Sequence, residues 1–228
     1  MSRSDRITET NFSRSFKHNP EFLKLGLPGV VFDIDEISDY RAHLSPSEFK
    51  IVQKSSLNRQ NEFSTGRQLA HRALAALGCN IPSLLSGKNR EPLWPPRIVG
   101  SITHTNEYAG VAVASSEDYT GIGIDIEPKG SVEPSLINML LTNSERTKYR
   151  NIDPTQIFCS KEAIYKLLHP LINEFIDFQD VEIQLDEKRT EFRAVSVSAI
   201  CPQELVAAVR GRIHSLGNNW FSCVTITR

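Results

Sequence analysis

Gly121-Ile122-Gly123-Ile124-Asp125-Ile126-Glu127 is the stretch on which the reading of this chain turns. Three isoleucines alternate with two glycines and two carboxylates, the period of a half-buried β-strand. Asp125 and Glu127 therefore share a face, with Cα atoms roughly 6.5 Å apart at about 3.3 Å rise per residue. The two glycines before them leave room on that face for a ligand. No basic residue lies between Ser115 and Pro128 to neutralise the pair. Like charges on one face are unfavourable unless a cation sits between them, and oxygen ligands without sulfur or imidazole suit magnesium or manganese. The plainer alternative is a strand that runs out into the polar turn Pro128-Lys129-Gly130.

A second segment, Phe158-Cys159-Ser160-Lys161-Glu162-Ala163-Ile164-Tyr165-Lys166, reads as a helix. Pro154-Thr155 can start it, His169-Pro170 can stop it, and Ile157, Ile164 and Leu168 give an apolar stripe. It adds a third carboxylate and two lysines to the first segment. Glu162 and Lys166 stand one turn apart; as a surface ion pair they would stabilise the helix by only about 0.2–0.5 kcal/mol.

An internal echo organises the remainder. Leu44-Ser45-Pro46-Ser47-Glu48 recurs as Leu141-Thr142-Asn143-Ser144-Glu145, and each copy opens a helical stretch. A second helix follows each, one from about Glu62 to Leu77 ended by Gly78, the other carrying Glu162. Strands are expected at Val99–Thr103, Ala109–Ala114 and Thr120–Glu127, and again at Val181–Leu185, Glu191–Ser198 and Trp220–Thr227. The fold class read from this order is α+β, an α/β sandwich-like arrangement of two similar halves about a pseudo-twofold axis. The division is a tail over residues 1–20, an N-terminal half 21–117 and a C-terminal half 118–228, with the boundary near Ser115–Tyr119.

At 228 residues the chain can bury roughly 70% of its unfolded surface, so a real core is available. Lysine and arginine total 26 against 27 acidic residues, which gives no reason to expect nucleic acid or an anionic membrane as partner. No apolar run reaches the roughly 18 residues of a membrane span, and the Ser- and Arg-rich start lacks a secretory apolar stretch. Cys79, Cys159, Cys201 and Cys223 lie far apart without zinc-ligand spacing, as reduced thiols of a cytoplasmic protein do.

Upstream of the acidic strand, Lys88, Arg90 and Arg97 surround a proline-stiffened loop, Pro92-Leu93-Trp94-Pro95-Pro96, that feeds Gly100-Ser101-Ile102-Thr103-His104. Thr103 and His104 end a strand, where a hydroxyl and an imidazole can meet a ligand; a turn histidine bonded to local backbone is the alternative. Arg59 and Arg67 add positive charge before and within the preceding helix, as phosphate-binding guanidinium groups or as solvated helix-surface residues.

Taken together these segments resemble the 4'-phosphopantetheinyl transferases. The likeness is carried by Glu62-Phe63-Ser64-Thr65-Gly66-Arg67 with Arg72 and Leu77-Gly78, Pro92-Leu93-Trp94-Pro95, Gly100-Ser101-Ile102-Thr103-His104, Gly123-Ile124-Asp125-Ile126-Glu127, and Lys161-Glu162-Ala163 with Lys166. The branch it looks most like is the one typified by component D of enterobactin synthetase. The resemblance covers Leu44 to Lys166 and implies transfer of the 4'-phosphopantetheine arm of coenzyme A to a serine of an apo acyl, peptidyl or aryl carrier protein, with release of adenosine 3',5'-bisphosphate. It implies Mg²⁺, replaceable by Mn²⁺, on Asp125, Glu127 and Glu162. It makes Lys166 a contact of the pyrophosphate and leaving group, and Glu162, directly or through a metal-bound water, the base toward the carrier serine. Thr103 and His104 would bind coenzyme A phosphates, and Arg59 and Arg67 its 3'-phosphate end. Many relatives place a lysine three residues before the loop's first proline; Asn89 stands there in this chain, and Lys88 or Arg90 would supply the charge. A monomer is expected.

Two other functions use the same residues. One is a magnesium-dependent phosphodiesterase or nuclease, against which the near-neutral charge speaks. The other is a non-catalytic protein that binds coenzyme A or carrier protein, against which the complete set of carboxylates and lysines speaks.

Overall fold

Ser45 and Thr142, the second residues of the echoed segments, each open a helix by the same device. At the start of α1 (Pro46–Val52) the Ser45 hydroxyl accepts from the Glu48 amide at 3.2 Å, and the Glu48 carboxylate accepts from the Ser45 amide at 2.9 Å. Two otherwise orphaned amides are satisfied reciprocally. Thr142 and Glu145 repeat this box at 3.1 and 2.8 Å where α4 (Asn143–Lys148) begins, after the short α3 (Ile137–Leu140). Both glutamates are buried, because each also ties down its own surroundings. Glu48 accepts from the Leu84 amide and lies 2.8 Å from His71 Nε2; Glu145 accepts from the Ile183 amide and pairs with Lys161 at 2.7 Å. The computed structural model describes residues 26–228, so the tail expected over 1–20 lies outside the described residues.

A long helix follows each box. α2 (Leu57–Ala76) starts at Ser56, whose hydroxyl accepts from the Arg59 amide, and is followed by Gly78 at φ +76°. α5 (Pro154–Ile172) starts at Asp153 with Pro154 in its first turn. It does not stop at His169-Pro170, where the sequence placed its end. Pro170 sits in the last turn, where a missing N–H costs a single hydrogen bond, and the helix ends one turn later at Asn173 with φ +57°.

The strands divide between two antiparallel sheets. β1 (Val31–Glu36), β2 (Ile98–His104) and β3 (Tyr108–Ser115) form the first, in the order β1-β3-β2, and α2 packs on it. The second has the order β4-β8-β7-β6-β5, from β4 (Tyr119–Pro128), β5 (Val181–Leu185), β6 (Glu191–Ser196), β7 (Arg210–Leu216) and β8 (Asn219–Thr227). α5 lies across β4 and β8, and the short α6 (Gln203–Ala207) packs on β6. Among the described residues no helix is long and apolar enough to cross a membrane.

Alternation along β4 sorts its residues between two neighbours. Ile122, Ile124 and Ile126 enter a core shared by the sheets with Ile34, Ala112 and Phe221. Gly121 and Gly123 face α5. A Cβ on Gly123 would lie 2.0 Å from the Ala163 carbonyl oxygen and 2.9 Å from the Leu167 nitrogen. The space these glycines leave is therefore filled by the helix, its backbone at Gly123 and the Leu167 and Leu171 side chains at Gly121, and not by a ligand, contrary to the expectation from sequence. β4 is also an edge strand, and side chains close that edge. The Ser101 hydroxyl accepts from the Ile124 amide at 3.1 Å and the Thr103 hydroxyl from the Ile126 amide at 3.3 Å. Two hydroxyls spaced two residues apart on β2 thus join the sheets where a backbone ladder would otherwise run.

Candidate active site

Asp125 continues the glycine face of β4, so it meets α5 at Lys166. Its Oδ1 accepts from Lys166 Nζ at 2.6 Å and from the Thr103 hydroxyl at 2.9 Å, and only 3% of the residue is exposed. Thr103 also accepts from Lys166 Nζ at 3.2 Å. With the Ile126 amide, this fills both lone pairs of the threonine oxygen and directs its one proton to Asp125. The charge missing from the Ser115–Pro128 segment is thus supplied across the fold, and Lys166 pairs with Asp125 and not along its helix with Glu162. Burial alone would lower the Lys166 pKa, but the contact with Asp125 and the charge of Glu162 outweigh it and hold the ammonium protonated. Asp125 Oδ2 is buried without a hydrogen-bond partner.

Glu127 and Glu162 complete the acidic end. Burial first, then the charge of Asp125, pushes the Glu127 carboxyl up to about 7, with Glu162 adding to the rise and Lys166 opposing it. The Glu162 carboxyl is raised by burial and Asp125 against the pull of Lys166. Among the described residues no three such side chains are already gathered as a metal cage. The donor chemistry nevertheless fits a hard divalent cation: all three groups offer oxygen, one oxygen is buried and unpartnered, and their mutual repulsion is what a cation would relieve. Lys161, the other lysine of the segment, is not part of this end. Its side chain is 3% exposed and its Nζ is held by Glu145, the Leu140 carbonyl and the Phe178 carbonyl, so it ties α5 to the second capping box.

The cationic end lies beyond a shared wall. A cavity of about 440 Å³ is lined by Arg59, Glu62, Arg67, Ser86, Arg90 and His104. A neighbouring cavity of about 400 Å³, walled by Trp94, Ser101, Tyr165 and Lys166, shares Arg90, Pro92 and Ile102 with it. The two cavities thus adjoin, with Arg67 in one and Lys166 in the other. Trp94 seats the proline loop against Gly100, where a Cβ would lie 2.8 Å from the indole. A further cavity of about 500 Å³ at the start of α5, beside Asp153 and Trp220, holds none of the candidate residues.

Arg67 is 5% exposed, which removes the solvated-surface reading. It stacks over Phe63 at 4.3 Å, donates to Ser86 at 3.0 Å, and keeps a buried Nε without a partner. Burial, aided by Arg59 and opposed by Glu48, lowers its pKa to about 10, the mark of a cation lacking an adjacent anion. Arg59 pairs with Glu62 at 3.1 Å and touches His104. The His104 pKa is lowered by burial and by Arg59 and Lys166, with Glu62 and Asp125 opposing. Of the two alternatives beside Asn89, Arg90 lines both cavities, while Lys88 is exposed and lines neither. Thr103 is 2% exposed with its hydroxyl fully engaged, so it positions Asp125 and Lys166 and does not offer the free phosphate donor that the resemblance implied. Reasoning from sequence missed Ser86, Glu62 and Ser101; the spacing Ser101-x-Thr103 on one strand face was the available signal for the last.

Residues 47–114 match the family profile of the 4'-phosphopantetheinyl transferase N-terminal domain, and residues 121–215 that of the 4'-phosphopantetheinyl transferase superfamily. The chain is 32% identical over 161 residues to the 4'-phosphopantetheinyl transferase PptT of Mycobacterium tuberculosis, covering 68% of this chain and 71% of that protein. It is 33% identical over 159 residues to the 4'-phosphopantetheinyl transferase Svp of Streptomyces mobaraensis, covering 66% and 65%. Enterobactin synthase component D of Escherichia coli K12 is 30% identical over 138 residues, covering 56% of this chain and 64% of that one. The matches thus span about two thirds of the relatives' length.

Proposed function

The chain belongs to the 4'-phosphopantetheinyl transferase superfamily, and from that membership we propose that it moves the 4'-phosphopantetheine arm of coenzyme A onto a serine of an apo acyl, peptidyl or aryl carrier protein. The observation that carries the reading is a pair of adjoining cavities with cations in each, Arg59, Arg67 and Arg90 in one and Lys166, held 2.6 Å from Asp125, in the other. Coenzyme A has the matching pair of anions, a 3'-phosphate and a reactive pyrophosphate.

In the proposed reaction the serine oxygen attacks the phosphorus that bears pantetheine, and the bond from that phosphorus to the bridging pyrophosphate oxygen breaks. Adenosine 3',5'-bisphosphate leaves. Glu162 takes the serine proton, directly or through a water; burial beside Asp125 raises its basicity. Lys166 faces the charge that grows on the departing phosphate, and Thr103 fixes Lys166 and Asp125 in register. Asp125, Glu127 and Glu162 would hold Mg²⁺, or Mn²⁺ in its place, which when bound neutralises pyrophosphate charge. Arg67, Arg59, Arg90 and His104 hold the nucleotide end. The reading takes the protein to be a cytoplasmic monomer; four free cysteines among the described residues fit a reducing compartment.

The test is mass spectrometry of apo carriers from fatty-acid, polyketide and peptide synthesis after incubation with coenzyme A, Mg²⁺ and this protein. A phosphopantetheine mass gain on at least one carrier with stoichiometric bisphosphate release is expected, abolished by excess chelator and restored by Mn²⁺. No gain on any carrier would sink the proposal; full turnover in chelator would return Asp125 and Glu127 to a structural role.

A further inference from the structure

We propose that Glu62 is an internal competitor for the nucleotide 3'-phosphate: it holds Arg59 and His104 between turnovers and sets how readily the bisphosphate product leaves. The inference rests on reading the Arg59–Arg67 cavity as the 3'-phosphate site.

Glu62 lies one turn after Arg59 on α2, and 14% of its side chain is exposed. A single oxygen, Oε2, is 3.1 Å from Arg59 Nη1 and 3.6 Å from His104 Nδ1, while Arg59 also touches His104 Nε2. One anionic oxygen bridging a guanidinium and an imidazole is the arrangement a phosphate oxygen would take there. Arg67, deeper in the same cavity, has no carboxylate contact; its Nη2 bonds Ser86 and its plane rests on Phe63. The two arginines therefore have different duties. Arg67 is fixed whether or not an anion is present. Arg59, with 42% of its side chain exposed, can exchange between Glu62 and a ligand.

An arriving phosphate must displace Glu62 from these two groups or share them with it. Sharing sets two anions side by side in a partly desolvated cavity, where unit charges several ångströms apart alter affinity by about tenfold or more. Fixing Arg59 in place contributes less, because an exposed ion pair of this kind is weak. The balance is that Glu62 lowers affinity for the 3'-phosphate. Donor and product carry that same phosphate, so the carboxylate limits how long spent nucleotide occupies the site, and it pairs Arg59 again as the phosphate departs.

Glu62→Gln keeps the shape and removes the charge. Titration of adenosine 3',5'-bisphosphate and coenzyme A into parent and variant, with dissociation followed by stopped flow, should show about tenfold tighter binding through slower release. Dephospho-coenzyme A should bind both proteins alike. Glu62→Asp, which keeps the charge on a shorter arm, should fall between, and thermal melts should show all of them folded. Unchanged or weaker binding of the bisphosphate to Glu62→Gln overturns the proposal. Arg59→Ala and Arg67→Ala separate its failure from failure of the site reading. If both prefer coenzyme A over dephospho-coenzyme A as strongly as the parent does, the cavity does not read the 3'-phosphate at all. If they lose that preference while Glu62→Gln binds like the parent, the site stands and the competitor role falls.

Discussion

Gly123→Ala asks whether α5 is seated on β4 by backbone contact. A Cβ there would lie 2.0 Å from the Ala163 carbonyl oxygen, 2.9 Å from the Leu167 nitrogen and 3.0 Å from the Leu167 Cβ. Ordinary contact starts at 3.4 Å, so the shortfall is about 1.4 Å, and the nearest atoms belong to a helix backbone that cannot rotate away. Overpacking a core typically costs 1–3 kcal/mol, and a collision with backbone belongs at about 3 kcal/mol. At this chain length that is a fall of roughly 6–12 °C in the melting temperature. A helix that retreats by this distance also carries Lys166 out of its 2.6 Å contact with Asp125, and a misplacement of about 1 Å at a reacting centre can cost 10²-fold in rate. The assay pairs urea melts with single-turnover transfer at saturating coenzyme A and Mg²⁺. Gly121→Ala is the internal control, because its Cβ would meet only side-chain atoms of Leu167 and Leu171, the nearest at 3.2 Å, and should cost under about 1 kcal/mol. A Gly123→Ala protein as stable as Gly121→Ala, with transfer near the parent rate, would mean that backbone contact at Gly123 does not seat the helix.

Lys166→Met and Glu162→Gln should each lower single-turnover transfer by roughly 10²–10³, with a double variant well short of the product of the two; near-parental rates would remove α5 from the site. Arg67→Ala should chiefly raise the KM for coenzyme A and leave kcat largely intact, a difference that dephospho-coenzyme A erases. Burial would raise the Glu48 carboxyl, but hydrogen bonds from His71, the Leu84 and Ser45 amides and the Ser45 hydroxyl hold it at about 2, below the ordinary 4.5. Because the folded value is depressed, the stabilisation is complete above pH 4.5 and is lost as pH falls toward 2; it amounts to about 3 kcal/mol. Glu48→Gln should lose that much at pH 7, and the gap should close in urea melts as the pH is lowered; a gap that stays constant would contradict the assignment.

The strand carrying Asp125 and the helix carrying Glu162 were legible because each writes its period in adjacent residues. β7 was not foreseen. Its inward positions begin with Gly211, where a Cβ would lie 2.2 Å from the Phe192 ring, so a phenylalanine from β6 fills a place that a hydrophobic pattern would have marked. Nor was β1 foreseen, which alternates Phe32 and Ile34 with Asp33 and Asp35; its acidic face is matched by Arg72 of α2, 2.8 Å from Asp33 and 3.7 Å from Asp35. At the site, the carboxylates could be named from local spacing, whereas the division of labour between the two lysines could not. Lys161 and Lys166 differ because Glu145 and Asp125, distant in sequence, reach them from different sides of the helix. The engagement of Thr103 is of the same kind: three partners from two other elements decide what its hydroxyl does.

A backbone ladder is indifferent to which amino acids it joins, so no single mutation deletes it. The union of β2 with β4 is of another sort, because two hydroxyls make it, and it is therefore written in two codons. Ser101→Ala or Thr103→Val would each release one amide at roughly 1–3 kcal/mol while both sheets keep their own ladders. His104, beside the arginines, belongs to one side of this junction and Asp125 to the other. Inheritance can thus adjust how the two walls meet, one residue at a time, without first dismantling the fold that carries them.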